Sequence, residues 1–188
     1  MNFAKIVMVV GLLWMASEIV LVILTRSKKD SRGRDQGSIV WLNAVIYSSI
    51  AIAVTMGTLG IGKVKGLPAA VPLLGFGMMI VGIAIRWTAI LTLRKYFTVN
   101  IVIQEGHKVV KSGIYRFVRH PSYSGALLAF WGMGLIFTNI ISLVVLVVPV
   151  TIGFIKRIKI EEAALLEAFG DEYEEYKKHS KKLVPGVY

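Results

Sequence analysis

The stretch from residue 113 to 125 reads Gly-Ile-Tyr-Arg-Phe-Val-Arg-His-Pro-Ser-Tyr-Ser-Gly and lies between segments apolar enough to span a bilayer. It carries two arginines, one histidine and two tyrosines. Anchoring in a membrane does not call for so many cationic and hydrogen-bonding side chains at one boundary, so this stretch is where a polar ligand is expected to be held. Pro121 biases His120 toward extended backbone, and Gly113 and Gly125 permit tight turns or close backbone approach. Just upstream lie Asn100, Gln104, Glu105, Gly106, His107, Val109, Val110 and Ser112, a mixed run that reads as irregular backbone with a ligand to bind. A lone histidine is more often structural, its ring bonded to a carbonyl or water. His107 and His120 together with Arg119, Tyr115 and Tyr123 rise above that reading. A metal centre is not expected, because two histidines without a carboxylate at ligand spacing fall short of a tetrahedral site.

Further along, Arg157 and Glu161 are four residues apart and share one helix face, which Leu165 and Phe169 continue. A carboxylate followed at four-residue steps by apolar side chains points toward packed surface. Glu162, Glu167, Asp171, Glu172, Glu174, Glu175 and the lysines from Lys177 to Lys182 read instead as a solvated, charge-mixed tail, docked by Tyr173 and Tyr176. With no cysteine in the chain there is no thiolate nucleophile, disulfide or cysteine metal site.

The elements that must position these groups are membrane helices. The 188 residues are 55% hydrophobic and 18% charged, and the apolar residues come in long runs. Residues 3 to 24 carry Lys5 and Glu18, residues 39 to 61 no charge, and residues 67 to 93 only Arg86. The first run is too long for a secretory signal, and the basic cluster Arg26, Lys28, Lys29, Arg32 and Arg34 reads as stop-transfer. The uncharged region 124 to 155 is interrupted by Thr138 and Asn139, so 124 to 158 is expected to form a helical hairpin whose first arm is short, tilted or only partly inserted and whose second arm continues past the surface. Glu18 and Arg86 are predicted at matching depth, paired or lining a wet cavity, with Asn43 nearby on the second helix.

A net charge of +11 would suit nucleic acid, but the bases sit in short loops beside the spans, where they set topology and attract anionic lipid. Nucleic acid is therefore not an expected partner. The loop 25 to 38 and the segment 94 to 122 hold most of the loop bases, against Lys63 and Lys65 in the intervening turn. This asymmetry predicts the N-terminus outside, with 25 to 38, 94 to 122 and the C-terminus in the cytosol. Gly57 to Val64 imitates a phosphate loop but lacks its Ser or Thr and follows a membrane span. No dinucleotide-type glycine motif follows a strand. The expected fold is all-α, a polytopic membrane protein of about five transmembrane helices including a C-terminal helical hairpin, plus a cytosolic cofactor-binding module. Its division is three transmembrane helices in 1–93 and a catalytic module in 94–188.

From about residue 95 to the C-terminus the chain resembles the integral membrane isoprenylcysteine carboxyl methyltransferases. The resemblance rests on Gln104, His107, Val109-Val110, Gly113-Ile114-Tyr115, Arg119-His120-Pro121-Ser122-Tyr123 with Gly125, Arg157, Glu161-Glu162 and Phe169-Gly170 with Tyr173 and Tyr176. It implies S-adenosylmethionine bound on the cytosolic side by Gln104, His107, Val109, Val110, Tyr115, His120, Tyr123 and Glu161. It implies that Arg157 is the catalytic and substrate-binding residue, facing the carboxylate of a lipid-like acceptor that enters from the bilayer, with no metal. The N-terminal half has no motif that matches. Related phospholipid N-methyltransferases share the Arg-His-Pro-x-Tyr core, and membrane sterol reductases share the architecture. The rival readings are thus an amine methyltransferase, an NADPH-dependent reductase and a non-enzymatic anchor. Arg157 favours a carboxylate over a cationic headgroup, and a reductase would need further bases for its cofactor's phosphates.

Overall fold

In hydrocarbon backbone polar groups must be satisfied within the protein, in helices or closed barrels, and the apolar runs of this chain form long helices. The computed structural model describes residues 2–25, 37–101, 103 and 106–186. It places α1 at Phe3–Thr25, α2 at Ser38–Leu59, α3 at Ala70–Leu93, α4 at Pro121–Ile136, α5 at Ile140–Phe169 and α6 at Asp171–His179, with 3-10 turns at Arg94–Tyr96 and Gly113–Arg116. The described residues contain isolated β-bridges and no named strand. The basic cluster from Arg26 to Arg34 and the predicted ligand Gln104 lie outside the described residues.

Among the described residues, four helices are long and apolar enough to cross a membrane, namely Phe3–Thr25, Ser38–Leu59, Ala70–Tyr96 and Ile140–Phe169. These are four of the about five transmembrane helices expected, the other being the short first arm of the hairpin. α4 has 16 residues, about 24 Å at roughly 1.5 Å per residue, and falls short of a hydrocarbon core of about 30 Å. The expected hairpin is present as α4 and α5, turning at Thr138 and Asn139. Thr138 adopts φ 47°, and Asn139 caps α5 by accepting from the Ser142 N–H at 3.0 Å. The Asn139 amide also donates to the carbonyls of Met56 and Ile61 at 3.2 and 2.8 Å, fixing the hairpin tip to the end of α2.

Close packing comes from small residues, as is usual where lipid offers no hydrophobic drive between helices. Gly75 and Gly82 on α3 face Gly132 and Gly125 on the antiparallel α4. A Cβ on Gly82 would lie 2.5 Å from the Gly125 carbonyl oxygen, and one on Gly125 would lie 2.5 Å from that of Gly82. α2 packs on α5, where the Ser142 hydroxyl donates to the Ala53 carbonyl at 2.7 Å. The resulting core includes Leu42, Met79, Ala129, Phe130, Leu146, Val150 and Phe154.

α1 stands apart from these tight pairs. It meets the bundle through Phe3 on Phe76, ring centroids 5.8 Å apart, through Trp14 on Phe130 at 5.3 Å, and through Glu18 on Arg86. Between α1, α2 and α4 lies a cavity of about 790 Å³. It begins beside Phe3 and ends among the polar residues at the opposite end of the bundle.

Candidate active site

The polar end of the cavity is built where α3 ends, α4 begins and α5 leaves the bundle. Pro121 occupies the first position of α4 and leaves His120 outside helical backbone at φ −123°, ψ 54°, in line with the sequence expectation. His120 is 4% exposed and lies between two carboxylates, its Nε2 3.3 Å from Glu162 Oε1 and its Nδ1 3.9 Å from Glu161 Oε2. The Tyr123 hydroxyl donates to Glu161 Oε2 at 2.9 Å. Its ring lies 4.9 Å from that of Phe154.

One turn before Glu161 on α5, Arg157 is 3% exposed. Its Nη1 donates to the Ser38 hydroxyl at 2.6 Å and its Nη2 to the Val99 carbonyl. These partners come from the start of α2 and from the segment after α3, and together they restrict the plane of the guanidinium. Burying a charge is costly unless hydrogen bonds compensate it, and these two are drawn from distant parts of the chain. Glu18 and Arg86 are adjacent and paired. Arg86 donates through Nε and Nη2 to the two oxygens of Glu18, at 2.5 and 2.6 Å, and through Nη1 to the Ser122 hydroxyl at 2.9 Å. The Trp14 indole adds a bond to Glu18 at 3.0 Å. The two alternatives read from sequence, a pair or a cavity wall, are both realised, since Glu18, Arg86 and Asn43 also line the cavity.

His107 stacks on Tyr96 with ring centroids 4.8 Å apart and 14° between planes, and meets the edge of Phe169 at 5.4 Å. Burial holds its pKa below the ordinary value of 6.5, against an opposing pull from Glu161. Its Nδ1 is buried with no hydrogen-bond partner among the described residues. Buried polar atoms are seldom left in that state, so this atom marks a place where a ligand's hydrogen-bonding edge fits. Tyr115 is buried, and its hydroxyl is pushed well above the usual tyrosine range by burial and then by the Glu161 charge.

Of the residues singled out in the sequence, His107, Tyr115, His120, Tyr123, Arg157 and Glu161 all line the one cavity. Leu165 lines it too, and Phe169 backs His107, as the four-residue periodicity of that face implied. Val109 and Val110 are half-buried and are not among the residues lining that cavity. Glu162 corrects the expectation of a solvated side chain. It is 12% exposed and receives Arg119 Nε at 2.9 Å, with Lys182 Nζ at 3.6 Å from its other oxygen. Arg119 is thereby committed to the tail, donating also to the carbonyls of Lys177 and Ser180. The backbone N–H groups of Arg119 and His120 bond to the carbonyls of Lys181 and Lys182 at 2.7 and 3.0 Å. Tyr173 and Tyr176 dock the tail as expected, the Tyr176 hydroxyl reaching the Tyr115 carbonyl at 2.6 Å, with its pKa pushed up to about 12 by burial. Sequence reading did not single out Tyr96, Ser38 or the Val99 carbonyl. The aromatic pair Tyr96-Phe97 just past a membrane span was the only local sign of the first, and a backbone acceptor leaves no sign at all.

This geometry has relatives. A family model described as the isoprenylcysteine carboxyl methyltransferase family matches residues 73–167. The chain is similar to protein-S-isoprenylcysteine O-methyltransferase B of Arabidopsis thaliana, 40% identical over 115 residues that cover 60% of this chain and 58% of that protein. It is similar to the protein-S-isoprenylcysteine O-methyltransferase of Saccharomyces cerevisiae, 41% identical over 76 residues, 39% of this chain and 31% of that protein. Among solved structures it resembles the eukaryotic intramembrane Ras methyltransferase ICMT, with a TM-score of 0.62 and 26% identity, covering 77% of this chain and 52% of that one. The chain spans at most about 58% of the length of these curated relatives. The family match takes in α4, most of α3 and almost all of α5, the helices that carry Arg86, Tyr123, Arg157 and Glu161, together with His120 just before α4, and the chain belongs to the isoprenylcysteine carboxyl methyltransferase family.

Proposed function

We propose that this chain transfers a methyl group from S-adenosylmethionine to the carboxylate of an isoprenylated cysteine, or a similar lipid-like acid, at the cytosolic membrane interface. The observation that carries the reading is one continuous cavity. Its apolar arm runs among membrane helices and its polar end holds a buried arginine. A lipid-tailed acid has those two parts in that order.

The cofactor is assigned to Gln104, His107, Val109, Val110, Tyr115, His120, Tyr123 and Glu161. His107 Nδ1, buried and without a partner among the described residues, suits a hydrogen bond to it, and the face of Tyr96 holds the His107 ring in place for that bond. Glu161 accepts from Tyr123, which sets the direction in which its carboxylate accepts further hydrogen bonds. S-Adenosylmethionine supplies an electrophilic methyl on a sulfonium and leaves as a neutral thioether. The aromatic faces of Tyr123 and Tyr115 suit a positively charged neighbour.

Arg157 orients the acceptor. Its fork matches a carboxylate, and the Ser38 and Val99 partners fix its plane before the acceptor arrives. The acceptor is already an anion at neutral pH, so no general base is needed. What the protein must provide is alignment of the attacking oxygen and exclusion of water. Because a cation and an anion neutralise each other, too tight a grip on the carboxylate would stabilise the ground state over the transition state. A headgroup amine would meet the same buried cation with repulsion, which disfavours the phospholipid reading.

The test is transfer of labelled methyl from S-adenosylmethionine to N-acetyl-S-farnesylcysteine in detergent. Base-labile labelled product, lost in Arg157→Ala and Glu161→Ala, is the expected result. Tight binding of S-adenosylhomocysteine without any transfer to the carboxylate would overturn the acceptor assignment, and absence of that binding would overturn the methyltransferase reading.

A further inference from the structure

α1 turns one stripe toward the bundle, made of Phe3, Val7, Gly11, Trp14, Glu18 and Leu21, the spacing of a single helix face. All six line the cavity. Phe3, Trp14 and Glu18 make the contacts that hold α1, to Phe76, Phe130 and Arg86. From Glu18 to Phe3 the stripe rises about 22 Å at roughly 1.5 Å per residue. Half of a hydrocarbon core of about 30 Å is roughly 15 Å, so the apolar arm reaches past the bilayer midplane. The other walls keep pace with it, α2 as far as Val54 and α4 as far as Phe137.

Within this stripe Gly11 contributes no side chain. The glycines between α3 and α4 are accounted for by packing, since a Cβ on Gly82 or Gly125 would lie 2.5 Å from the facing backbone oxygen. Gly11 has no such reason, because a Cβ there meets nothing within 4 Å. It lies one turn beyond the Trp14–Phe130 contact, on the cavity wall. What glycine supplies at that level is open volume.

We propose that Gly11 sets the length of acceptor tail this protein accepts, by keeping open the half of the cavity beyond Trp14. Tails that pass Trp14 gain contact with Met8, Ile50, Val54 and Met133, whereas shorter tails end before it. The proposal rests on the lipid-acceptor reading of the cavity and adds to it the residue that selects among acceptors. A Cβ at residue 11 meets no protein atom within 4 Å, so a bulky side chain there has room to extend into the cavity and is expected to shorten the arm.

The experiment measures binding of N-acetyl-S-geranyl-, S-farnesyl- and S-geranylgeranyl-cysteine to the full chain in detergent by thermophoresis, with methyl transfer measured separately. In Gly11→Phe, geranylgeranyl affinity is expected to fall about tenfold or more, through loss of buried apolar contact, while geranyl affinity stays within about twofold. Gly11→Leu should give an intermediate loss, and Val54→Phe, which narrows the arm from α2, should reproduce the pattern. Gly77→Phe is the control, since Gly77 also has open space around it but is not on the cavity wall; it should change nothing. Equal weakening of all three acceptors by Gly11→Phe, or no effect on any, overturns the proposal. Length-dependent binding without methyl transfer counts against the carboxylate-transfer reading alone, and transfer with length-independent binding counts against Gly11 alone. If no acceptor binds, both fall.

Discussion

Arg157 and Glu161 sit on successive turns of α5, and each is held by a group from elsewhere, Arg157 by Ser38 and the Val99 carbonyl, Glu161 by the Tyr123 hydroxyl. If Arg157 aligns the acceptor, Arg157→Ala should lower kcat/KM for the acceptor about a hundredfold or more and leave S-adenosylhomocysteine affinity within about threefold. Arg157→Lys should recover little, since an ammonium lacks the fork. Acceptor titration beside calorimetric cofactor binding separates these outcomes. His107 carries a pH prediction. Burial depresses its pKa below 6.5 in the fold, so in the window below 6.5 the unfolded chain binds more protons than the folded one. Its contribution is complete above that window and is lost as pH falls through it. S-adenosylhomocysteine affinity should weaken on acidification below 6.5, and His107→Gln should flatten that part of the profile. An unchanged slope in the variant would remove His107 from the cofactor site.

The α3–α4 pair and the C-terminal strap hold those residues in place. Gly125→Leu forces a side chain against the backbone of Gly82 and Arg86. Overpacking of this kind costs roughly 1–3 kcal/mol, and a bulky side chain between two backbones belongs at the upper end. The expected result is a lower unfolding temperature in detergent together with weaker cofactor binding, because Tyr123 moves with α4. The strap is a second element whose role is local. Lys181 and Lys182 bond along the backbone of Phe117, Arg119 and His120 before α4, and Glu162 joins Arg119, His120 and Lys182. Removing one partner from a mostly buried pair costs about 3 kcal/mol at the lower end of the usual range. Glu162→Gln should therefore lower the unfolding temperature more than Glu167→Gln does on the same helix, as thermal melts would show.

At the scale of the whole molecule, α1 is joined to the bundle by a few side chains spaced along its length. The Glu18–Arg86 bridge is the polar one among them, with Arg86 also bonded to Ser122 beside the site. In a double-mutant cycle, Glu18→Gln and Arg86→Gln should couple by roughly 1–3 kcal/mol, each single change leaving a charge in hydrocarbon. The lack of any cysteine makes orientation directly testable. A single cysteine in place of Lys63 should react with an impermeant thiol reagent from the outside of intact cells. One in place of Lys178 should react only after the membrane is opened, if the basic loops face the cytosol as their charge predicts.

Long unbroken apolar runs point to helices in lipid, because a membrane barrel is built instead from strands of about 10 residues with alternating hydrophobicity. Hence the spans through residue 93, the α4–α5 hairpin and its break at Thr138-Asn139 were legible from composition and order alone. The helix face of Arg157, Glu161, Leu165 and Phe169 was legible as well, since spacing of four is a local property of the chain. The shortness of α4 was legible too, because Thr138-Asn139 ends its uncharged run early. Glu162 was misread because its partners Arg119 and Lys182 lie far away in sequence and nothing in the tail announces a fold-back. Likewise the Ser38 and Val99 partners of Arg157, the stacking of His107 on Tyr96, and the cavity that brings α1 and its Gly11 into line with the site arise from contacts between distant segments. Local periodicity tells which face of a helix is apolar or charged, and the packing of helices against one another decides what that face meets.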